Sequence, residues 1–234
     1  MPLNVIDDTQ KVSLGPTSDG TYAKANGGTE MMAARINTII EENGLSDSVP
    51  YSDSVIMRNA IDPIELTEPK PVDRVNLIYH TTPHRGLELL VPCMEELAKI
   101  HGDNIHLDVY SSFAAYGWVE RDAPYEGLFE RIKAHPQMTY HGYQPNHIVR
   151  EALKKAHIFA YPNIWPETSC IAAIEAMSAG CEIVCPNYYA LPETTAGFAT
   201  MYQFAEDNNE HANAFVNELN ATISHRINGN HVPE

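Results

Sequence analysis

Short apolar runs alternate with helical patterns through the middle of the chain. The runs expected to form strands are Val75–Tyr79 and residues 138–143, 158–162 and 181–185. Segments that start near Thr82, Asn146 and Ile171 continue with apolar residues at helical spacing. Strands that alternate with helices are typical of a doubly wound parallel sheet. The sequence therefore predicts an α/β chain built on a single Rossmann-like sheet.

Polar side chains stand where two of these helices are expected to begin. Thr168 or Ser169 can cap the helix that carries Ile171, and Asn146 can cap the helix before it. Residues 206–225 form another helical pattern, in which one stripe is apolar. The stripe consists of Ala212, Phe215, Leu219 and Ile223. This stripe, like that of Met31, Ala34 and Ile39, fits either a homodimer contact or the core of the monomer.

Two glutamates lie eight positions apart around the start of the helix that carries Ile171. Glu167 stands just before the helix and Glu175 about two turns inside it. Free N–H groups and the positive end of the helix dipole favour an anion such as a diphosphate. Carboxylates accept hydrogen bonds from hydroxyls, so Glu167 could hold a sugar ring and Glu175 a ribose diol. The pattern favours a nucleotide-sugar site.

From about Val55 to Thr195, the chain resembles the retaining glycosyltransferases of the GT-B fold that carry a Glu-x7-Glu motif. That family has Pro-Glu-Gly-Phe-Gly, several apolar residues, Glu-Ala-Met-Ala-Cys-Gly, a strand and a Gly-Leu-Pro-Glu turn. Here the same order stands as Pro166-Glu167-Thr168-Ser169-Cys170, Glu175-Ala176-Met177-Ser178-Ala179-Gly180 and Ala190-Leu191-Pro192-Glu193. The resemblance implies the C-terminal half of a GT-B fold.

The resemblance assigns a role to each matched residue. Glu167 would contact and orient the donor sugar, and Glu175 would bind the ribose hydroxyls. The amides of Thr168, Ser169 and Cys170 would bind the phosphates. Because Thr-Ser-Cys replaces the Gly-Phe-Gly of the family, its side chains narrow the pocket and leave the identity of the sugar open.

Three more candidates follow strand ends, where ligands of such sheets bind. Arg85 stands at the position of a family lysine, and its guanidinium can bind phosphate oxygens in a bidentate fork. His80 stands at the position of a family arginine, and a neutral imidazole supplies less positive charge there. Tyr143 follows the strand whose loop the family places against the nucleotide base. Its ring could stack on the base or simply cover the core.

The length of 234 residues suits one domain and an extension, whereas a GT-B enzyme has two Rossmann-like domains. The predicted division is a short N-terminal extension with a remnant helix at residues 1–58 and a nucleotide-sugar-binding domain at 59–234. Residues 26–42 resemble the glycine turn and first helix of a family N-terminal domain, and residues 57–63 resemble the interdomain linker. Fewer than twenty residues separate these two segments, so we expect the middle of that domain to be missing.

Composition and charge narrow the function classes. The chain is 44% hydrophobic and 20% charged, and it contains neither a secretory signal nor an apolar run that could span a membrane, so a cytoplasmic location is expected. Its four cysteines lie in apolar contexts and are expected to be reduced core residues rather than metal ligands. A formal charge of −16 argues against nucleic acids and anionic membranes as partners. The same negative net charge also repels an anionic nucleotide sugar.

Two hypotheses from different classes follow. The first is a glycosyltransferase that moves a sugar from a nucleoside diphosphate donor to an unknown acceptor with retention of configuration. Arg85 and the helix start would stabilise the leaving diphosphate without a metal or other cofactor. The second is a catalytically silent nucleotide-sugar-binding module, or one subunit of a two-chain enzyme whose partner supplies the acceptor site. A nucleotide-sugar epimerase on the same fold is a third possibility, although those enzymes also need both domains.

Overall fold

The computed structural model describes residues 58–229. Its strands are β1 Val75–Tyr79, β2 Ile105–Val109, β3 Met138–Tyr140, β4 Ile158–Ala160, β5 Glu182–Asn187 and β6 Ala199–Gln203. Its α-helices are α1 Leu87–His101, α2 Glu126–Ala134, α3 Asn146–Leu153, α4 Ile171–Ser178, α5 Leu191–Thr195 and α6 Asn208–Ile227. Single turns of 3₁₀-helix lie in several of the connections, among them Pro83–Arg85 before α1.

The six strands form one parallel sheet in the order β3-β2-β1-β4-β5-β6. The order reverses between β1 and β4, where Leu77 lies beside Ile158 and Ile78 beside Phe159. In open sheets of this kind, ligands bind in the crevice beyond the carboxyl ends of the strands at this switch point. The predicted Rossmann-like α/β fold is confirmed, and its topology places the expected site beyond β1 and β4.

The central strands are apolar because both faces of the sheet are covered by helices. Leu77, Ile78 and Tyr79 of β1 are fully or almost fully inaccessible, as is the whole of β4. Helix α1 contacts both α2 and α6, and α4 contacts both α3 and α5. This division into two helical layers is what a doubly wound sheet requires.

The stripe of α6 belongs to the core of the monomer. Phe215, Leu219 and Ile223 are fully buried, and Ala212 is partly buried against the same core. Of the two alternatives for this stripe, the core role is therefore correct. The stripe of Met31, Ala34 and Ile39, with the rest of the predicted N-terminal extension up to residue 57, lies outside the described residues.

The structure differs from the expected caps at two helices. The N-cap of α4 is Cys170, and no side chain caps this helix, because the chain stays extended until Cys170 and the helix starts beyond the two hydroxyl residues. The N-cap of α3 is Pro145, and Asn146 is already helical. Helix α3 thus begins one residue earlier than a cap at Asn146 would require, and α4 begins one or two residues later than a cap at Ser169 or Thr168 would require.

Candidate active site at the switch point

Arg85 is positioned by a tight turn between β1 and α1. The hydroxyl of Tyr79 donates a 2.9 Å hydrogen bond to the carbonyl of Thr82, which fixes the start of the turn. Gly86 ends the turn with φ +117°, and a Cβ on it would lie 2.0 Å from the carbonyl oxygen of Pro162. Only glycine combines this dihedral with so close an approach. The turn after β1 is therefore packed directly against the chain that leaves β4.

This packing brings Arg85 to Glu167. One guanidinium nitrogen, Nη1, donates to Oε1 of Glu167, and Nε donates to the Thr82 hydroxyl at 3.1 Å. The hydroxyl of Tyr161, at the end of β4, donates to the same carboxylate oxygen. The side chains of Arg85 and Glu167 are 14% and 4% exposed, so the ion pair is largely shielded from water. The two residues predicted to act on the donor thus contact each other directly.

The protonation states of this cluster follow from burial and from the carboxylate. Burial lowers the pKa of Arg85, but the neighbouring Glu167 charge outweighs it, and the pKa is raised overall. Burial raises the pKa of Tyr161 well above its ordinary value, and Glu167 raises it further. Arg85 is therefore a permanent cation and Tyr161 a neutral donor at physiological pH.

Glu175 lies on α4 and is held by two residues of α3. Asn146 Nδ2 donates to its Oε1 at 3.0 Å, and Arg150 Nη1 donates to the same oxygen at 3.2 Å. Among the described residues, no donor contacts Oε2 of Glu175. Arg150 also donates to the carbonyls of Asp62 and Pro63 at 2.6 and 3.1 Å, and so connects the segment before β1 to this carboxylate.

A cavity of about 380 Å³ opens between these groups, beyond the carboxyl ends of the strands. Ser169, Cys170, Ile171 and Ala172 form the wall at the start of α4, and Arg85 and Glu175 contribute one charge of each sign. The remaining wall residues include His80, Tyr110, Ser112, Tyr116, Gly142 and Tyr143. The cavity therefore combines a helix N-terminus, a guanidinium and a carboxylate, the groups that the sequence predicted for a nucleotide sugar.

His80 and Tyr143 contribute to the wall in different ways. Burial lowers the pKa of His80 to about 4, so its imidazole is neutral at pH 7 and supplies no positive charge. Its Nε2 is buried and has no hydrogen-bond partner among residues 58–229. Tyr143 is 51% exposed at the cavity, which leaves its ring accessible. It does not cover the core.

Two predicted contacts are not part of this wall. Thr168 and Glu167 do not line the cavity, although their neighbour Ser169 does. Glu167 is only 3% exposed because its carboxylate is turned to Arg85 and Tyr161. In this conformation the carboxylate of Glu167 accepts a hydrogen bond from Arg85, and Arg85 in turn lines the cavity.

The supporting residues Tyr161, Asn146 and Arg150 were not predicted as part of the site. Asn146 and Arg150 are one turn apart on α3, and this spacing was the only sequence signal that they share a face. Nothing in the sequence indicated that this face is turned to Glu175. The aromatic wall residues Tyr110 and Tyr116 were also missed, since they lie in the irregular connection after β2.

Comparison with known proteins agrees with this geometry. The family model for glycosyl transferases group 1 matches residues 70–227, more than half of the chain. The chain belongs to the glycosyl transferases group 1 family. No curated protein sequence matches it. Among the part of this group 1 chain that the structure describes, no helix is both long and apolar enough to cross a membrane.

Solved structures share the fold at low sequence identity. The pneumococcal O-GlcNAc transferase GtfA in complex with UDP and GlcNAc is 12% identical, with a TM-score of 0.55 over 82% of this chain and 37% of GtfA. The catalytic domain of starch synthase IV from Arabidopsis thaliana, bound to ADP and acarbose, is 14% identical, with a TM-score of 0.50 over 71% of this chain and 34% of that chain. At this identity the likeness shows the fold alone. The group 1 chain spans little more than a third of either structure.

Proposed function

We propose that this chain binds a nucleoside diphosphate sugar in the 380 Å³ cavity and transfers the sugar to an acceptor with retention of configuration. The observation that carries the proposal is the meeting of the α4 N-terminus, Arg85 and Glu175 in one cavity at the switch point. Family membership supports the reaction class, and the bound nucleotides of GtfA and starch synthase IV support the ligand class.

The diphosphate is assigned to the start of α4. Ser169, Cys170 and Ile171 line the cavity there, and no side chain of the described residues caps the helix. Free N–H groups at a helix N-terminus bind phosphate oxygens, and the helix dipole favours the negative charge. Thr168 directly precedes these residues and is assigned to the same phosphate-binding segment, although it does not line the cavity.

The nucleoside is assigned to the opposite end, near Glu175. Its Oε1 already accepts bonds from Asn146 and Arg150, so Oε2 can accept bonds from the two ribose hydroxyls. The exposed ring of Tyr143 can stack on the base. His80 lines the wall with a neutral imidazole and is assigned to the donor site through this position alone, because its Nε2 is buried.

The chemistry is assigned to the Arg85–Glu167 pair. As the bond from sugar to diphosphate breaks, negative charge grows on the leaving diphosphate, and Arg85 and the helix start stabilise it. Arg85 lines the cavity and is assigned to this task, and its Nη1 donates to Glu167. Glu167 is assigned to the hydroxyls of the sugar, a contact for which its carboxylate has to turn from Arg85 and Tyr161 into the cavity. With this cation fixed in the cavity, the proposed transfer needs no metal.

Turnover tests the proposal. The chain is incubated with UDP, ADP and GDP derivatives of glucose, galactose and N-acetylglucosamine, with and without simple saccharides, and nucleoside diphosphate release is measured. We expect release from one donor, unchanged by a chelator and lowered about a hundredfold in Glu167→Gln. Glu151→Gln, an exposed residue of α3, is the matched control and should keep the full rate.

The results separate the alternatives. Equal rates in the wild type and Glu167→Gln would refute the role of Glu167. Donor binding without any release would refute the transferase and support the binding module. The anomeric configuration of the product, read by NMR, tests retention directly.

A further inference from the structure

A second cavity, of about 450 Å³, lies beyond the carboxyl ends of β4, β5 and β6. It is lined by Ile164, Tyr188, Tyr189, Phe204, Ala205, Glu206 and Asn208. Its volume falls in the range of small-molecule sites, roughly 300–1,000 Å³. None of these residues belongs to the first cavity or to the contacts that hold it.

Aromatic rings make up much of the wall. The rings of Tyr188 and Phe204 are stacked, with centroids 3.8 Å apart and planes 9° from parallel. Tyr189 meets Tyr188 at 74° with a centroid distance of 4.5 Å. Two ring planes thus form a corner, and the Tyr188 ring is held in place from two sides. Rings fixed in this way give contact area with little loss of side-chain entropy.

Polar groups surround the aromatic corner. Glu206 and Asn208 are exposed and lie at the cavity, and the two tyrosines add hydroxyls. Burial raises the pKa of Tyr188 to about 12, with contributions from Tyr189 and the Glu206 charge, so this hydroxyl stays protonated and the carboxylate is near it. The cavity therefore offers acceptors and donors around an apolar surface.

A neutral saccharide has the matching chemistry. The apolar face of a pyranose packs on aromatic rings, and its hydroxyls exchange hydrogen bonds with a carboxylate, an amide and phenols. The seven lining residues include no lysine or arginine, and the carboxylate and the net charge of −16 repel anions. Phosphorylated or carboxylated sugars are therefore poor ligands for this cavity.

The chain segments that line the second cavity are connected to Glu167 of the proposed active site through sequence and through a backbone hydrogen bond. Ile164 lies three residues before Glu167 on the loop after β4. The amide of Ala190, next to Tyr189, donates to the carbonyl of Glu167 at 3.1 Å. The loop after β4 thus carries one wall residue of the second cavity together with Glu167, and it is hydrogen-bonded to the segment after β5 that carries Tyr188 and Tyr189.

Tyr189 also has an unusual backbone conformation. Its φ is +48°, in the left-handed region that a bulky residue adopts only at a cost in conformational energy. Glycine would remove that strain. A tyrosine kept there puts its ring into the cavity wall, which favours a role for the ring in binding.

We propose that the second cavity binds an uncharged pyranose unit of the acceptor; this rests on the transferase function proposed above. Tyr189, which packs against the stacked pair of Tyr188 and Phe204, supplies the stacking surface, and Glu206 and Asn208 bind the hydroxyls. The acceptor would then approach the donor sugar from the β5 and β6 side of Glu167.

Saturation-transfer NMR on the full chain tests this proposal. The probes are methyl β-glucopyranoside, methyl β-galactopyranoside, methyl α-mannopyranoside, maltose, cellobiose and lactose, with glucuronic acid as the anionic comparison. We expect one or more neutral probes to show transfer that Tyr189→Gly and Glu206→Gln each reduce at least fivefold. Tyr189→Gly removes the ring and relieves the backbone strain, so the variant should fold.

Phe198→Ala is the matched control, because Phe198 is 78% exposed and lines neither cavity. It should bind the probes as the wild type does. Donor release is measured on the same samples. Donor release with no saccharide signal, or with a signal unchanged in both cavity variants, would overturn the acceptor site alone. Stronger transfer to glucuronic acid would also overturn it. A saccharide signal without donor release would leave a sugar-binding cavity and overturn the transferase function.

Discussion

The guanidinium of Arg85 pairs with the carboxylate of Glu167 across the point where the strand order of the sheet reverses. Arg85 stands on the turn after β1 and Glu167 on the loop after β4, so one ion pair connects the two loops that flank the crevice. Because Arg85 also lines the first cavity, a ligand there acts on the same guanidinium. Fold stability and the proposed chemistry therefore depend on the same pair.

Removing one partner of this pair should be costly. In Glu167→Leu the buried guanidinium of Arg85 loses its counter-charge, and breaking a buried pair in this way typically costs about 3–5 kcal/mol. The double variant Arg85→Met/Glu167→Leu removes both charges and should regain much of that loss. Urea unfolding of the two single variants and the double variant measures the coupling. Additive losses would show that the pair does not stabilise the fold.

Gly86 should tolerate no side chain. Gly86→Ala combines a positive φ with a Cβ that overlaps the carbonyl of Pro162, and we expect a loss of roughly 3 kcal/mol or more. The shift should also separate Arg85 from Glu167. Gly127→Ala on α2 is the matched control, since nothing lies within 4 Å of its Cβ position and alanine favours a helix. If thermal unfolding showed the same decrease in melting temperature for Gly86→Ala and Gly127→Ala, this account of the turn would be contradicted.

Acid should weaken the fold through histidines whose pKa is lowered by burial, chiefly His80 and His84. Burial lowers the pKa of His80 to about 4, and burial together with Arg85 and Arg121 lowers that of His84 to about 4. Between about pH 6.5 and 4 the unfolded chain binds protons that the folded chain does not, so stability falls as the pH drops through this window. His80→Gln should reduce the slope of stability against pH, measured by urea unfolding.

The control for this experiment is His225→Gln, which replaces an exposed histidine in the last turn of α6. It should leave the slope as in the wild type. An unchanged slope in His80→Gln would show that folding does not lower the pKa of this imidazole.

Added salt should strengthen donor binding when the salt concentration is low. A chain of net charge −16 repels an anionic nucleotide sugar through its average field, and added salt screens that repulsion before it weakens the short contacts to Arg85. Titration at increasing sodium chloride from a few millimolar should first show tighter binding. Affinity that fell steadily from the lowest salt would mean that local positive charge dominates.

Much of the fold was predictable because its buried strands are short apolar runs. Strands β1, β3 and β4 lie within the predicted segments, and β5 overlaps its predicted segment but extends two residues beyond it, to Asn187. In contrast, β2, α2 and β6 were not predicted. The sequence of β2, Ile-His-Leu-Asp-Val, alternates, since His106 and Asp108 are partly exposed. Alternation in a parallel strand differs from the continuous apolar run expected there.

The ligand-facing residues were partly predictable, and their mutual contacts were not. Arg85, Ser169, Cys170 and Glu175 line one cavity, as the motif indicated. The pairing of Arg85 with Glu167 depends on Gly86 approaching Pro162, a contact 76 positions apart in the chain. The predicted N-caps of α3 and α4 were wrong because local side-chain preference does not decide where a packed helix begins.

Calorimetric titration with nucleoside diphosphate sugars tests the donor site most directly. UDP, ADP and GDP sugars are titrated into the wild type, Glu175→Ala, Arg85→Ala and the control Glu151→Ala. One donor should bind to the wild type and the control with equal affinity, and each of the two cavity variants should bind it at least tenfold more weakly. Absence of binding by every donor, or equal binding by all four proteins, would contradict the assignment of this cavity.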